Sequence, residues 1–549
     1  FASRLLTLDL TFVMKRPLNK SLYLQKIEAL MHKREEYPIG IQSFPEIITG
    51  GYVYVDKTEY IHQLVTKGKY YFLGRPRRFG KSLLLSTIEE YFLGHKELFE
   101  GLAISQYEYD WAEYPVLHLD LNSQKYGELD SLDNMLSLAL DVWEEKYGII
   151  DKIPSLSLRF ANVIKTACEK TGKQVVVLID EYDKPLLNNI FNEEFQREFR
   201  STLKAFYGVL KSMDRYIRFA LLTGVTKFGK VSVFSDLNNL NDISFWDRYN
   251  GICGITEAEL HHYFTEDVSE MAKTLGITSD EVFAKMKENY DGYHFSDCLA
   301  EEIYNPFSVL NTLAKKRFYS YWFETGTPTF LVELLRNNNY NLASLNGRIT
   351  DEMSLQGVDM VLTDPIGLIY QSGYLTIKSF DREFETYTLG YPNREVEEGF
   401  VKFMMPFYAN IRQSDTAFAI QSFVKDVREG RVDEFMERLK SLYSDFPYEK
   451  VQKLELHYQN VMYIVMTLMG FHVHTEYHTS RGRIDLVIDT PSRVYVMEFK
   501  LDGTAEEALR QIDERGYAEP FASTGKTIVK VGVNFSSETR SIDRWIVEG

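Results

Sequence analysis

The first half of the chain alternates short apolar runs with longer segments of helical spacing. A run without a two-residue or 3.6-residue period suits a strand that is covered on both faces of a parallel sheet. Residues 175–179 form such a run, and further strands are predicted at residues 70–73, 115–121 and 218–224. The repetition of strand and helix between residues 70 and 255 predicts an α/β fold with parallel strands.

The segments on either side of this region are mostly helical. Residues 19–33 place apolar positions on one side of a helix, and residues 256–345 are helical and rich in aromatic side chains. Residues 361–378 predict a helix followed by a β wing. Residues 407–442 predict charged connecting helices.

The pattern changes again near the carboxyl end. Residues 453–468 predict a long apolar helix, and residues 484–488 and 493–500 flank a Pro491-Ser492 turn. Two strand-like runs around such a turn are typical of a β-hairpin. A second α/β domain is therefore predicted at this end of the chain.

These patterns divide the chain into five predicted parts. They are an N-terminal extension and helix (1–36), an α/β core (37–255), a helical lid with a winged-helix-like unit (256–400), a helical connector (401–450) and a last α/β domain (451–549). A chain of 549 residues has room for two to four domains with full cores.

Composition adds constraints on location and partners. The chain is 44% hydrophobic and 26% charged, as ordinary soluble globular proteins are. The 62 Lys and Arg residues are outnumbered by 79 Asp and Glu residues, so contact with nucleic acid requires a local basic patch. The three cysteines are far apart and have no Cys-x-x-Cys spacing, which argues against zinc sites and disulfide frameworks.

This cysteine usage favours a reducing compartment, and a cytoplasmic location is expected. The longest apolar stretch, residues 461–471, is too short to span a bilayer, so no membrane association is expected. Residues 1–13 are interrupted by Arg4 and Asp9 and do not resemble a secretion signal.

Residues 70–82 run from an apolar strand through a basic turn into a helix. A turn that ends in Gly-Lys-Ser exposes backbone N–H groups at a positive helix end, places a lysine beside the outer phosphates and offers a hydroxyl to Mg²⁺. We therefore predict an ATP site with Mg²⁺ bound by Ser82. The usual spacing has glycine where Arg75 stands, and a chance Gly-Lys-Ser in a basic turn is the alternative. We call this turn, residues 74–82, the phosphate cradle. Its predicted nucleotide-binding residues are Gly74, Arg75, Pro76, Arg77, Arg78, Phe79, Gly80, Lys81 and Ser82.

An acidic pair follows the apolar run at residues 175–179. Asp180 and Glu181 lie at the strand end where ligands of open α/β sheets bind. We predict that Asp180 holds Mg²⁺ through water and that Glu181 polarises the attacking water. A buried strand that ends in a solvated acidic turn is the alternative. A glutamate directly after the metal-binding aspartate suggests the additional-strand, catalytic-glutamate division of P-loop ATPases.

Other residues are assigned to the nucleotide site less directly. Thr223, at the end of a later strand, either senses the γ-phosphate and holds the attacking water or only caps its strand. Asp56, with Glu59 three residues later, predicts a helix cap, although residues 56–58 would also suit the lining of a base pocket. In an oligomer, Arg218 or Arg248 would be a candidate arginine finger.

The predicted hairpin carries a second candidate site. Alternation along a strand puts Glu498 and Lys500 on one face and Phe499 on the other. Asp485, Glu498 and the carbonyl of Phe499 would then bind Mg²⁺ or Mn²⁺. Lys500 would orient or deprotonate the water that attacks phosphorus, while the metal offsets the charge of the phosphate. The predicted catalytic set also includes Glu455 and Gln511 on the flanking helices.

This second pattern has competing interpretations. A solvent-facing hairpin with salt bridges gives the same residue types, and a fold of this kind can persist without cleavage. His472, His474 and His478 alternate on the strand before Asp485. They suggest a metal, but without a second cluster at ligand spacing they also suit a strand surface.

Together these motifs resemble the bacterial AAA-ATPase-like family whose members carry a C-terminal PD-(D/E)XK nuclease superfamily domain. The resemblance covers residues 37–521 and is most specific at 54–58, 75–82, 180–185 and 482–485 with 498–500. In that family Arg-Pro-Arg-Arg-Phe-Gly-Lys-Ser is the usual cradle, so Arg75 in place of glycine is a family trait. Ile484-Asp485 stands where the superfamily name has Pro-Asp.

The resemblance implies an AAA-like P-loop ATPase core of the additional-strand type and a C-terminal domain like a restriction endonuclease. Two functions follow as hypotheses. The first is an ATPase coupled to a Mg²⁺-dependent nuclease that acts on nucleic acid, with DNA favoured over RNA. The second is an ATP-dependent switch that binds nucleic acid or a partner through a C-terminal domain that does not cleave.

Overall fold

The computed structural model describes most of the chain after residue 35. Described are residues 36–150, 153–227, 237, 239–299, 301–324, 329–337, 340–356, 364–408, 412, 415–444, 454–470, 472–479, 482–539 and 541–549. Some side chains within these ranges, including those of 454–457 and 472–479, are not described. The helix predicted at residues 19–33 lies outside the described residues.

The described residues form two compact units. The first runs to Tyr319 and includes 353–356 and 371–373, and the second contains the remainder from Ser320 onwards. The predicted five-part division stays a prediction, because a grouping by contacts does not test its boundaries.

A parallel five-stranded sheet organises the first unit. Its strands are Tyr70–Gly74 (β1), Val116–Asp120 (β2), Val175–Asp180 (β3), Ile217–Gly224 (β4) and Asn241–Asp242 (β5). Their spatial order is β2-β3-β4-β1-β5, and every neighbouring pair is parallel. Every residue of β3 is buried, as a central strand covered on both faces requires. The predicted parallel α/β sheet is therefore present.

Helices follow the strands in the manner of α/β folds. They begin or end at recognisable signals: Thr256 and Glu259 form a capping box, and Asn305 caps a helix whose first residue is Pro306. The helices are Phe44–Gly50 (α1), Thr58–Lys67 (α2), Lys81–Phe92 (α3), Ser131–Lys146 (α4), Leu156–Thr171 (α5), Lys184–Asn188 (α6), Glu193–Ser212 (α7), Glu257–Leu275 (α8), Ser279–Tyr290 (α9) and Pro306–Lys315 (α10).

Helices α8 to α10 form a separate apolar core beside the two-stranded pair Ile255–Thr256 (β6) and Ile303–Tyr304 (β7). Leu260, Phe264 and Val268 line one side of α8 in this core and are fully buried. Their spacing of four residues is the helical period that the sequence contains.

The second unit contains helices and two sheets. A three-stranded antiparallel sheet has the order β8-β10-β9, with Arg348–Asp351 (β8), Thr376–Asp381 (β9) and Thr386–Gly390 (β10). Residues 376–378 of the predicted β wing form the start of β9, and the winged-helix-like unit itself stays a prediction. The helices that follow Ser320 in the chain are Tyr321–Glu324 (α11), Thr329–Asn337 (α12), Glu352–Gln356 (α13), Ile366–Gln371 (α14), Arg394–Tyr408 (α15), Thr416–Glu429 (α16), Val432–Ser444 (α17), Leu454–Met469 (α18) and Ala505–Glu514 (α19). Apart from Glu352, α13 belongs to the first unit.

The carboxyl end forms a five-stranded sheet of consecutive strands. They are His472–Thr479 (β11), Gly482–Asp489 (β12), Arg493–Leu501 (β13), Thr527–Ser536 (β14) and Ser541–Glu548 (β15). The predicted hairpin is β12 and β13, which pair antiparallel, whereas β13 and β14 are parallel and are linked through α19. Apolar side chains of α19 pack on this sheet around Ile484, Val487 and Val496.

The region predicted as a connector is tied to this sheet. Tyr495 Oη donates to the carbonyl of Val427 on α16 at 2.7 Å, and Trp545 Nε1 donates to Asp433 on α17 at 2.8 Å.

Within the described ranges, no helix is long and apolar enough to cross a membrane.

Candidate functional sites

The predicted phosphate cradle joins β1 to α3. β1 ends at Gly74, and α3 begins at Lys81 after Gly80, which caps it with a left-handed φ of 96°. A residue with a β-carbon is strained at this φ, so glycine is suited to the turn. The first backbone N–H groups of α3 have no partner within the helix, which makes its start an anion site.

Lys81 is held at the centre of the cradle. Its side chain is 3% exposed, and Nζ donates to the carbonyls of Arg75 at 3.1 Å and Pro76 at 3.3 Å. Nζ also lies 3.4 Å from Oε1 of Glu181. The lysine therefore contacts both the turn and the residue predicted to activate water.

The Asp180 carboxylate joins three elements at the carboxyl edge of the sheet. Ser82 Oγ donates to Oδ2 at 2.5 Å, and Thr223 Oγ1 donates to Oδ1 at 2.5 Å. The strand order explains the contact, because β4 lies between β1 and β3 and brings Thr223 beside Asp180. The structure thus brings together the Ser82, Asp180 and Thr223 that the sequence placed in separate motifs.

Glu181 follows Asp180 with a left-handed φ of 52°, which is uncommon outside glycine. Burial alone would raise the pKa of its carboxyl group, but Lys81, Arg77 and Lys184 outweigh burial and lower the pKa below its ordinary value. The group is therefore ionised at neutral pH, as a residue that polarises water must be.

Other cradle residues brace the turn instead of facing it. The guanidinium group of Arg75 is buried and donates to the carbonyls of Gly74, Ser244 and Tyr249. The prediction that Arg75 binds nucleotide is therefore narrowed to its backbone and stays a prediction, because its side chain donates to these carbonyls. This guanidinium also stacks 4.1 Å from the ring centre of Phe295.

Aromatic contacts anchor the same turn. The ring of Phe79 is buried and packs edge-on against Tyr293 at 4.9 Å and Phe295 at 5.5 Å. Arg78 is exposed and lies over the ring of Phe307 at 5.0 Å. The turn is thus attached to residues that follow the sheet in the chain.

An apolar cavity of about 100 Å³ adjoins the start of α3. Its lining includes Tyr54, Lys57, Gly80, Leu83 and Ile255. Lys57, which is one of these lining residues, forms an ion pair with Glu259 at 2.5 Å.

Asp56 does not lie at the position the capping prediction gave it. Helix α2 begins at Thr58 with Lys57 at its N-cap, and Asp56 accepts from the backbone and hydroxyl of Thr58 and from the backbone N–H of Ala103. Asp56 therefore fastens the loop before the helix, and Glu59 is not part of a capping box. The predicted cap was one residue out of register.

Arg218 and Arg248 have partners within the unit. Arg218 Nη2 donates to the carbonyl of Val65 at 3.0 Å, and Arg248 Nε donates to Gln63 at 2.8 Å. Neither contact tests a role between subunits.

The second candidate site lies where β12 and β13 separate. Their register ends with Leu486 opposite Met497, so the next pair in sequence is Asp485 and Glu498. There Asp485 Oδ2 accepts from the backbone N–H of Phe499 at 2.8 Å. The side chain thereby replaces a ladder hydrogen bond and stays beside Glu498.

Glu498 is 2% exposed, and its carboxylate has few positive neighbours. Burial and the adjacent Asp485 raise its pKa to about 7, against the lowering effect of Lys500. Its Oε2 atom has no hydrogen-bond partner within the described ranges. A buried carboxylate oxygen next to a second carboxylate fits a hard divalent cation.

Gln511 bridges the lysine and the glutamate. Lys500 Nζ donates to Gln511 Oε1 at 2.5 Å, and Gln511 Nε2 donates to Glu498 Oε1. Lys500 Nζ itself lies 3.6 Å from Glu498 Oε1. A groove of about 420 Å³ opens beside Lys500 and Gln511 and is also lined by Gly482, Arg510 and Tyr517.

Some predicted residues fall outside what is described. Glu455 lies on α18, but its side chain and those of His472, His474 and His478 on β11 are outside the described part. Among the described residues, no group of three or more His, Cys, Asp or Glu side chains is arranged as a metal site. The metal fit therefore rests on Asp485, Glu498 and backbone oxygen.

Sequence reasoning assigned no role to Asp183, three residues after Asp180. It is fully buried, and its carboxylate accepts from the backbone N–H groups of Val225 and Thr226 and from the Thr226 hydroxyl. The one sequence signal was an acidic residue within a short motif directly after an apolar strand. Its partners lie more than forty positions away and could not be identified from spacing.

Comparison with known proteins gives matches to the two regions of the chain that contain these sites. A family model described as "Predicted AAA-ATPase" matches residues 38–234, and one described as "PD-(D/E)XK nuclease superfamily" matches residues 453–545. A protein of Azotobacter chroococcum mcd 1, described as "Uncharacterized protein in vnfD 5'region", is 36% identical over 527 residues. The match covers 94% of this chain and 99% of that protein.

Proposed function

Because this chain belongs to the AAA-ATPase-like family and carries a C-terminal PD-(D/E)XK nuclease superfamily domain, we propose that it hydrolyses ATP and thereby controls a metal-dependent nuclease. The substrate of the second activity is nucleic acid, with DNA favoured over RNA. The observation that carries the proposal is the Asp180 carboxylate shared by Ser82 and Thr223. In this arrangement α3, β3 and β4 meet at one carboxylate, which supports the proposal.

Each residue has a role in the proposed ATP reaction. The start of α3 and Lys81 hold the outer phosphates. Ser82 and, through water, Asp180 would hold Mg²⁺, which would offset phosphate charge. Glu181 accepts a hydrogen bond from the attacking water and orients it towards the γ-phosphate. The apolar cavity beside Gly80, which Lys57 helps to line, receives the base.

The proposed nuclease reaction uses fewer groups. Asp485, Glu498 and the Phe499 carbonyl would hold the divalent cation, which would lower the charge on the scissile phosphate. Lys500 lies on the same strand as Glu498, and Gln511 fixes its Nζ atom. Lys500 then orients or deprotonates the attacking water.

Glu181→Gln tests the ATPase half. The amide keeps the size of the side chain but accepts protons poorly, so we expect nucleotide binding to persist and turnover to fall by at least about a hundredfold. Binding is measured with a fluorescent ATP analogue and turnover by phosphate release. Equal loss of binding and turnover would contradict the assigned role.

Lys500→Ala tests the nuclease half on plasmid, linear duplex and single-stranded substrates with ATP and Mg²⁺ or Mn²⁺. We expect wild-type cleavage and at least about a hundredfold loss in the variant. Lys530→Ala is the matched control, because Lys530 lies on the neighbouring β14 and pairs with Asp513 at 2.6 Å. If wild type and Lys500→Ala leave every substrate equally intact, the cleavage proposal fails.

A second function is favoured by the pairing within the C-terminal site. Lys500 and Glu498 are both bonded to Gln511, which would suit a domain that binds nucleic acid without cutting it. Retained binding in gel-shift assays, without metal-dependent cleavage, would support this alternative.

A further inference from the structure

The two residues that follow Glu181, Tyr182 and Asp183, are hydrogen-bonded to the end of β4 and to the segment just after it. The Tyr182 backbone N–H donates to the carbonyl of Thr223 at 3.0 Å, and the Tyr182 hydroxyl donates to the carbonyl of Thr226 at 2.9 Å. Asp183 accepts from the Thr226 backbone N–H at 2.6 Å and from the Thr226 hydroxyl at 2.7 Å. All of these contacts are buried, so water does not compete for them.

We propose that Tyr182 and Asp183 form a clamp that positions Glu181 and Thr223 relative to each other for hydrolysis. The inference rests on the proposed ATPase function and adds two positioning residues to it. Neither residue faces the phosphates in this arrangement. They act through the chain segments on which Glu181 and Thr223 lie.

The conformation of Glu181 explains why a clamp is needed. Its left-handed φ of 52° is unfavourable for a non-glycine residue and persists only where its surroundings impose it. Lys184 N–H donates to the Glu181 carbonyl at 3.0 Å on the far side of the turn. The clamp therefore fixes the residues that follow Glu181 against β4.

The chemistry of Asp183 suits this role. An ionised carboxylate is acceptor-only, so it can bind several N–H and O–H donors at once. Burial and the neighbouring Glu181 raise its pKa to about 6, which leaves the group ionised at neutral pH. Gly224 leaves room for the clamp, because a β-carbon there would lie 2.6 Å from Asp183 Oδ1 and 2.7 Å from the Tyr182 ring.

Thr226→Val and Tyr182→Phe each remove one hydroxyl of the clamp and keep the side-chain shape. We expect kcat for ATP to fall by about tenfold or more with KM changed less than about twofold, because misplacement of a catalytic group by a fraction of an ångström is sufficient. Tyr70→Phe is the matched control. Tyr70 is buried at the other end of β1, and its hydroxyl donates to Leu210 and Asp214.

A second matched pair inserts a methyl group. Gly224→Ala pushes directly on the clamp, whereas Gly208→Ala on α7 places its β-carbon where no atom lies within 4 Å. We expect kcat to fall in Gly224→Ala alone. A kcat equal to wild type in Thr226→Val, Tyr182→Phe and Gly224→Ala, or a fall matched by the controls, would overturn the clamp.

Hydrogen exchange separates this inference from the proposed function. In Asp183→Ala we expect the Val225 and Thr226 amides to exchange at least about tenfold faster than in wild type, because their acceptor is gone. Wild type without ATPase activity would overturn the proposed function and, with it, a positioning role in hydrolysis. Equal exchange in wild type and Asp183→Ala would overturn the clamp itself, whatever the ATPase result.

Discussion

The two candidate sites each pair a lysine with a glutamate, but in opposite electrostatic settings. Lys81 lies 3.4 Å from Glu181, and Lys500 lies 3.6 Å from Glu498. Three cations lower the pKa of Glu181, whereas burial and a second carboxylate raise the pKa of Glu498 to about 7. The first site has spare positive charge and suits a polyphosphate. The second has spare negative charge and suits a metal ion.

A lysine–glutamate pair alone therefore does not define the chemistry of a site. The difference comes from the neighbours, since Arg77 and Lys184 add charge near Glu181 while Asp485 lies opposite Glu498. Changes at equivalent positions should therefore have different consequences in the two sites.

The largest effect is expected from Lys81→Ala. Removal of the buried cation should lower the affinity for Mg²⁺-ATP by at least about a hundredfold, because charge-assisted hydrogen bonds to phosphate are lost. Isothermal titration with ATP measures the change. Lys69→Ala is the control, since Lys69 pairs with Asp214 just before β1. Tight binding by Lys81→Ala would remove the basis for calling the first site an anion site.

Glu498→Gln is the corresponding change in the second site. Replacement of one carboxylate by an amide should weaken binding of Mn²⁺ to the C-terminal site by at least about tenfold. Titration calorimetry of nucleotide-free protein measures it, with Asp180→Asn as a background to isolate the C-terminal site. Glu514→Gln, on the rim of the neighbouring groove, serves as control. Unchanged Mn²⁺ affinity in Glu498→Gln would contradict the cation site.

A smaller effect is expected from Thr223→Val. The variant keeps the shape of a fully buried side chain but leaves Asp180 Oδ1 without its hydroxyl donor. Hydrogen bonds to charged groups contribute about 1.5–3 kcal/mol, so turnover should fall roughly tenfold or more. Phosphate release under saturating ATP measures it. Wild-type turnover would reduce Thr223 to a strand cap, which is the alternative that the sequence left open.

The smallest effect is a difference in pH dependence between the two glutamates. The pKa of Glu181 is lowered by folding, so its contribution to stability is present above about pH 4.5 and is lost as the pH falls. The pKa of Glu498 is raised, so its contribution is present below about pH 4.5 and is lost as the pH rises towards 7. Each slope is at most about 1.4 kcal/mol per pH unit.

Urea unfolding with a chelator tests this expectation. Relative to wild type, Glu498→Gln should gain stability between pH 5 and pH 7, and Glu181→Gln should gain it only as the pH falls below about 5. Slopes of the same sign in the two variants would show that the neighbours do not set the two carboxyl groups apart.

Short sequence patterns were sufficient to predict the main elements of the two sheets. The buried run of β3 and the Pro491-Ser492 turn predicted a parallel sheet and a hairpin, because period and turn chemistry act over a few residues. The sites followed from those elements, since strand ends bring Asp180 and Thr223 to one edge and alternation pairs Glu498 with Lys500.

What could not be predicted depends on distant partners. The side chain of Arg75 belongs to the cradle in sequence, but its acceptors come from Ser244 and Tyr249 on a later loop. The role of Asp183 likewise could not be predicted, because its partners Val225 and Thr226 are distant in sequence. Helix α2 begins one residue later than the cap predicted at Asp56 requires, and the carboxylate of Asp56 also accepts from the distant backbone N–H of Ala103.

The aromatic anchor of the cradle sets a limit on how the protein can be dissected. Phe79 packs on Tyr293 and Phe295, which lie beyond the residues 38–234 that match the ATPase family model. A fragment cut at residue 255 would expose the Phe79 ring and remove the stacking partner of Arg75. The smallest fragment suitable for expression therefore extends through α10, and biochemical work on a shorter one would report on a loosened turn.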